Sequence, residues 1–221
     1  MNKFSKIYLA WRHSKGQPRV MIGEITQQDN DVNFRYLYDG VNQARRDGFM
    51  GYPGLSVGTT EHKNVLSLFA TRLINIERSD AKELLKFWRV QDEYIENKLY
   101  LLAMTQGMSQ NDNFEFLACF ELREDLSFIT DIAGLSHSLF DIRKLKKGDE
   151  FTFKRENLKQ DKNAIKILFG QDVVGYIKKG HNEVFIDKEA DNLKIVVEHI
   201  VNTNDTKQVF VKVFNPLIKT I

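Results

Sequence analysis

Few residues of this chain stand at spacings that could do chemistry, and the candidates point to different kinds. Gly54-Leu55-Ser56-Val57-Gly58 fits the G-x-S-x-G string, in which a serine on a tight strand-to-helix turn becomes a nucleophile. Its context argues against that role. Phe49-Met50-Gly51-Tyr52-Pro53 is broken by glycine and proline, so no buried strand leads into the turn, and no alternation of strands and helices follows. His13, His62, His137, His181 and His199 are scattered without i,i+4 pairing or cysteine neighbours, which gives no zinc site. The one cysteine, Cys119, lies in the apolar run Phe116-Leu117-Ala118-Cys119-Phe120; it excludes an intrachain disulfide and reads as a buried strand residue. No catalytic residue, metal ion or cofactor is expected. The remaining set suits a polyanion. Tyr176 offers an aromatic face, and Lys178 and Lys179 offer two ammonium groups that can meet backbone phosphates without sequence preference. Each member also has an ordinary structural reading: a lysine pair as a solvated turn, Asp161 as an Asx-turn residue, Tyr176 as a sheet-face aromatic with its hydroxyl at the rim.

Short strands must position these groups. Residues 150–155 and 164–169 alternate apolar and polar in the period of a half-buried strand, and 173–177 form a third short strand closed by Lys178-Lys179-Gly180. The loop 156–163 between the first two is too polar for core, and it holds Asn157, Gln160, Asp161, Lys162 and Asn163. Residues 193–201 and 208–214 make a last hairpin with its tip at 202–207, where Lys207 could extend the basic surface, and a short helix starts at 181–185.

The run Asp161-Lys162-Asn163-Ala164-Ile165-Lys166-Ile167, followed by Val174-Gly175-Tyr176-Ile177-Lys178-Lys179, resembles the HIRAN domain. Upstream, Ile132-Ala133-Gly134-Leu135-Ser136-His137 resembles that family's first strand and the turn after it, and Leu145-Lys146-Lys147-Gly148-Asp149 the approach to its second. The resemblance implies a small OB-like β-barrel that binds single-stranded DNA and, in its best-understood member, captures a free 3′ end. The implied contacts are Ser136 and His137 in the turn, Asn157, Gln160, Asp161, Lys162 and Asn163 in the end-binding loop, and Tyr176, Lys178 and Lys179 in the strand and basic turn. Two positions depart from the family pattern. The turn has Ser136 and His137 where a basic and an aromatic residue are usual, and Gln160 stands before Asp161 where an aromatic residue is common. Phosphate contact is thus better preserved than end selectivity.

The first half reads as α+β. Strands are expected over 7–11, 19–25 and 32–37, with turns at Gly16-Gln17-Pro18 and Gln28-Asp29-Asn30-Asp31. Helices follow over 63–74, from the cap Ser79-Asp80 through Trp88, and over 93–104, and then a strand over 114–120. The stretch holding Arg45, Arg46, Phe49 and Tyr52 reads as a loop covering the sheet. Up to about Trp88 this half resembles the small N-terminal subdomain of HipA-type kinases, through the strand with Trp11, Val20–Ile25, Phe34-Arg35-Tyr36, the turn Pro53-Gly54-Leu55-Ser56 and the run Asn64–Phe69 leading to Arg72-Leu73. That resemblance implies packing and partner-protein contacts, because the ATP-binding and catalytic core of such kinases has no counterpart in the remaining length.

Composition fits a two-part chain: 221 residues, 42% hydrophobic and 28% charged, suffice for more than one core. No apolar run approaches the roughly 18 residues that span a bilayer, and no h-region follows Lys3 and Lys6, so a cytoplasmic location is expected. Divided at Asp125, the first part holds 16 basic and 17 acidic residues and the second 16 and 13, or −1 and +3. The positive excess accompanies the nucleic-acid motifs. The sequence thus reads as an α+β protein, with a HipA-like domain over 1–125 and a HIRAN-like barrel over 126–221. It is expected to be a non-enzymatic protein binding single-stranded DNA or DNA ends. The alternative is an adaptor or antitoxin-like component that holds a partner kinase or nuclease, as in toxin–antitoxin or phage-defence systems.

Overall fold

The computed structural model describes residues 3–14, 16–109, 112–203 and 206–216, which form two compact units, Met1–Ala118 and Cys119–Ile221. The first is built on a four-stranded sheet in the order β3-β2-β1-β4, with β1 Phe4–Trp11, β2 Val20–Gln28, β3 Asp31–Tyr36 and β4 Phe114–Phe120. Both the β1–β2 and β2–β3 pairs are antiparallel. Ile7, Leu9, Ile22, Ile25 and Phe34 are fully buried; Ile22 and Ile25 fall out of the two-residue step where the β1–β2 register shifts between Leu9 and Ala10. β4 is buried along its whole length, and its Glu115 is held there by Arg12 (3.3 Å) and Arg19 (2.9 Å).

The helices of this unit are shorter than the periodicity predicts. The expected helix over 63–74 is reduced to α2, Leu66–Ala70, because Asn64 adopts a left-handed φ of 54° just before it. The third splits at Asn97, whose side chain accepts from the Tyr100 amide and starts α4, Lys98–Thr105, afresh; a 3-10 turn, Asp92–Tyr94, precedes it. The helix α3, Ala81–Phe87, begins after Asp80, but the expected side-chain cap is not made. Asp80 is engaged by Arg78 instead, at 2.9 and 2.8 Å. A helix α1, Tyr38–Arg45, was not expected, while Phe49 and Tyr52 after it are buried, as a covering segment would be.

The second unit holds a six-stranded sheet in the order β5-β10-β9-β6-β7-β8. Its strands are β5 Ser127–Asp131, β6 Glu150–Glu156, β7 Ala164–Phe169, β8 Asp172–Tyr176, β9 Lys194–Asn202 and β10 Lys207–Phe214, and every neighbouring pair is antiparallel. The sheet does not close into a continuous barrel: its edges meet through one bridge, Ala133 to Tyr176. Of the first strand and following turn expected over 132–137, the strand lies earlier, as β5, which ends at Asp131, and the turn is the 3-10 turn Leu135–His137 behind Gly134 at φ 81°. The segment His181–Ile186 is also a 3-10 turn, and residues 204 and 205 of the expected β9–β10 tip lie outside the described residues. Phe120 stacks on Phe128 at 4.2 Å, with His181 5.5 Å from Phe120.

Candidate nucleic-acid interface

The sequence-predicted contacts gather along the outer edge of β8, and the backbone explains why. Ala133 and Tyr176 exchange two hydrogen bonds, of 2.8 and 2.9 Å, which bring the start of the Ser136–His137 turn beside Tyr176. This approach needs Gly175: a Cβ there would lie 2.5 Å from both the Ala133 carbonyl oxygen and Ile132 Cγ2. At the far end of β8, the buried Asn182 holds the loop 156–163. Its Nδ2 donates to Asp161 Oδ2 and to the Asn163 carbonyl, both at 2.9 Å, while its Oδ1 accepts from the Gly180 amide at 2.9 Å. Asp161 Oδ1 accepts from the Asn163 amide (3.0 Å), the Asx turn in its ordinary form. Asp161 therefore shapes the loop through both oxygens, and each oxygen keeps a second lone pair for a ligand.

Ser136, His137, Asn157, Gln160, Lys162 and Asn163 are exposed around this edge, and Asp161 and Tyr176 are half-buried. Lys179 is exposed as well. Lys178 is not: it is 1% exposed and ion-paired with the buried Asp131. The expected phosphate contact from Lys178 is thus replaced by an internal one, because the chain turns the first lysine of the pair inward where β5 ends. Asp131 was no part of the sequence reading.

Three further residues act on the site. Tyr176 donates its hydroxyl to Glu156 Oε2 (3.0 Å), and Lys166 reaches Glu156 Oε1 (2.5 Å). The hydrogen bond from Lys166 holds the Glu156 carboxyl below its ordinary value, and the same bond raises Lys166. Partial burial, then the bond to Glu156, pushes the Tyr176 hydroxyl up. Lys154 lies directly opposite Lys166, which in turn lies opposite Tyr176, so the three form one row across β6, β7 and β8. Lys154 is exposed. Strand alternation alone would have placed Lys154 and Glu156 on one face; their link to Tyr176 depends on register, which the sequence does not state.

The nucleophile candidate in the first unit is occupied by turn-making. Ser56 Oγ accepts from the Gly58 amide (3.3 Å), and the nearby His62 ring meets the Ser56 carbonyl (2.9 Å) and not its hydroxyl. Tyr36 and Tyr52 hold the same turn, Tyr36 by donating to the Leu55 carbonyl (3.0 Å) and accepting from the Tyr52 amide (2.8 Å). Among the described residues no group of His, Cys, Asp and Glu could hold a metal ion, and no helix is long and apolar enough to cross a membrane.

Comparison with known proteins bears on the second unit. None of the curated proteins compared matches the chain. Among solved structures, the HIRAN domain of human HLTF is similar at 20% identity and a TM-score of 0.33, over 39% of this chain and 72% of that one. The family model of the HIRAN domain matches residues 126–217, the stretch that holds β5 to β10 and every residue of the β8 edge. Over residues 126–217, less than half of its length, this chain is similar to the HIRAN domain.

Proposed function

We propose that the protein binds single-stranded DNA or a DNA end along the outer edge of β8, without catalytic activity of its own and in the cytoplasm. The convergence of three separate segments on that edge carries the reading: the turn with Ser136 and His137, the loop 156–163, and the strand with Tyr176 that leads to Lys179. The roles follow from chemistry. Lys179 meets a phosphate, Tyr176 and His137 border or stack on bases, and Asp161 with Asn163 forms the end pocket, where Asp161 accepts from a terminal 3′ hydroxyl. The sheet then works as the groove of an OB-like barrel does. Titrating isotope-labelled protein with a short single strand tests this. Amide shifts should concentrate in 134–137, 157–163 and 174–179; shifts confined to the first unit would refute it.

One observation favours a second role for the first unit. Tyr38 and Met50 are 81% and 93% exposed, on the helix α1 and just after it, in the part whose sequence resembles the HipA subdomain. A partner kinase or nuclease, in an adaptor or antitoxin-like arrangement, would cover them. Co-purification from native cells tests this role: a stoichiometric partner lost on Tyr38→Ser and Met50→Ser supports it, and its retention refutes it.

A further inference from the structure

The connection between β5 and β6 carries an exposed leucine and four exposed cations that the β8 groove does not use. Leu139 is fully exposed, at 104%, while Ile142 and Leu145 are buried and pin the segment, leaving Arg143, Lys144, Lys146 and Lys147 outside. Arg143 is committed to Asp141, at 2.9 to 3.1 Å, and Lys147 to Glu198 at 2.9 Å. Among the described residues the Lys144 and Lys146 side chains form no ion pair.

Two contacts place the first part of this connection, residues 138–140, at the start of β8, while its last part runs beside β9, where the Gly148 amide donates to the Val197 carbonyl (2.9 Å). Ser138 Oγ donates to the Val173 carbonyl (2.9 Å), and the Phe140 ring meets Phe169 at 6.0 Å. Val173, itself 42% exposed, thus lies in the same neighbourhood as Leu139. Tyr176 is about 10 Å further along the strand, and Lys179 and the Asp161 loop lie beyond it. The β8 edge therefore has two unlike ends, the polar loop 156–163 at one and the exposed Leu139 and Val173 at the other.

We infer that this second end receives the double-stranded stem of a DNA whose single-stranded overhang lies along β8, an inference that rests on the DNA-binding reading proposed above. From Tyr176 to Val173, a strand stacked at about 3.4 Å per nucleotide is three nucleotides long. There it meets Leu139, an aliphatic side chain of the kind that packs against the flat face of a base pair. Lys144 and Lys146, exposed further along the same connection toward β9, supply charge for stem phosphates.

The test compares a labelled overhang duplex with the corresponding single strand, by anisotropy across salt, in the full chain and its variants. The parent should bind the overhang duplex more tightly. Lys144→Ala with Lys146→Ala should leave the single-strand Kd within about twofold and flatten the duplex salt slope by about 1.8, from about 0.9 for each stem phosphate. Leu139→Ser should reduce the overhang advantage with the slope unchanged. A parent that binds both DNAs equally overturns this inference alone, and one that binds neither overturns the DNA-binding reading with it. Equal loss on both DNAs in the double variant, or its loss of binding to anionic vesicles alone, also overturns the inference.

Discussion

Two lysines that are neighbours in sequence have opposite fates here. Lys178 is sealed against Asp131, while Lys179 faces solvent. Lys178→Ala strands a buried carboxylate and is expected to cost about 3–5 kcal/mol in chemical denaturation. Joint Lys178→Met and Asp131→Leu, which removes both charges, should recover most of that loss. Lys179→Ala should leave stability unchanged and flatten the salt slope for single-stranded DNA by about 0.7, one phosphate contact; an unchanged slope would remove Lys179 from the interface. Glu156 adds a pH signature. Its folded value lies below the ordinary 4.5, so its bonds to Lys166 and Tyr176 are complete above that pH and are lost as pH falls through the lowered value. In the acid range the Tyr176 ring resonances should therefore move below pH 4.5, and not at all in that window in Glu156→Gln. The lysine pair was legible as a basic turn, but which member faces in depends on Asp131, whose approach no local pattern records.

At the scale of elements, strands were easier to read than helices. The expected bounds of β6, β7 and β9 lie within one residue of those observed, with β7 burying residues on both faces. The helices were overextended where single residues intervene, Asn64 through its backbone angle and Asn97 through its cap. The expected first strand was set a few residues late because Ile132 and Ala133 look like strand, yet regular pairing ends at Asp131, and Ala133 forms a single bridge to Tyr176. Gly175 makes that bridge possible. Gly175→Ala forces a Cβ within 2.5 Å of the Ala133 carbonyl and Ile132, and is expected to cost about 1–3 kcal/mol as an overpacked contact. Hydrogen exchange at the Ala133 amide should accelerate with it; an unchanged rate would mean that the bridge is not what the glycine protects.

Over the whole molecule, the net charge of +2 is too small to coat nucleic acid by bulk attraction, so binding has to come from placement. The HIRAN domain match begins at residue 126, while its compact unit begins at Cys119 and includes Phe120 stacked on Phe128. Composition and the charge division pointed to the second part, and the ordered motifs fall within residues 126–217, which match the HIRAN family model. The anchoring of the loop 156–163 by Asn182 and the Glu156 link were hidden, since both are contacts between segments distant in sequence.

The decisive measurement is anisotropy binding, at two salt concentrations, to a labelled single strand with a free 3′ hydroxyl, the same strand 3′-phosphorylated, and a blunt duplex. The expected result is salt-dependent binding to the free strand that exceeds binding to the blunt duplex, with the 3′ phosphate weakening it because Asp161 then faces an anion in place of a donor. No binding to any of the three DNAs at low salt would contradict DNA recognition by the β8 edge.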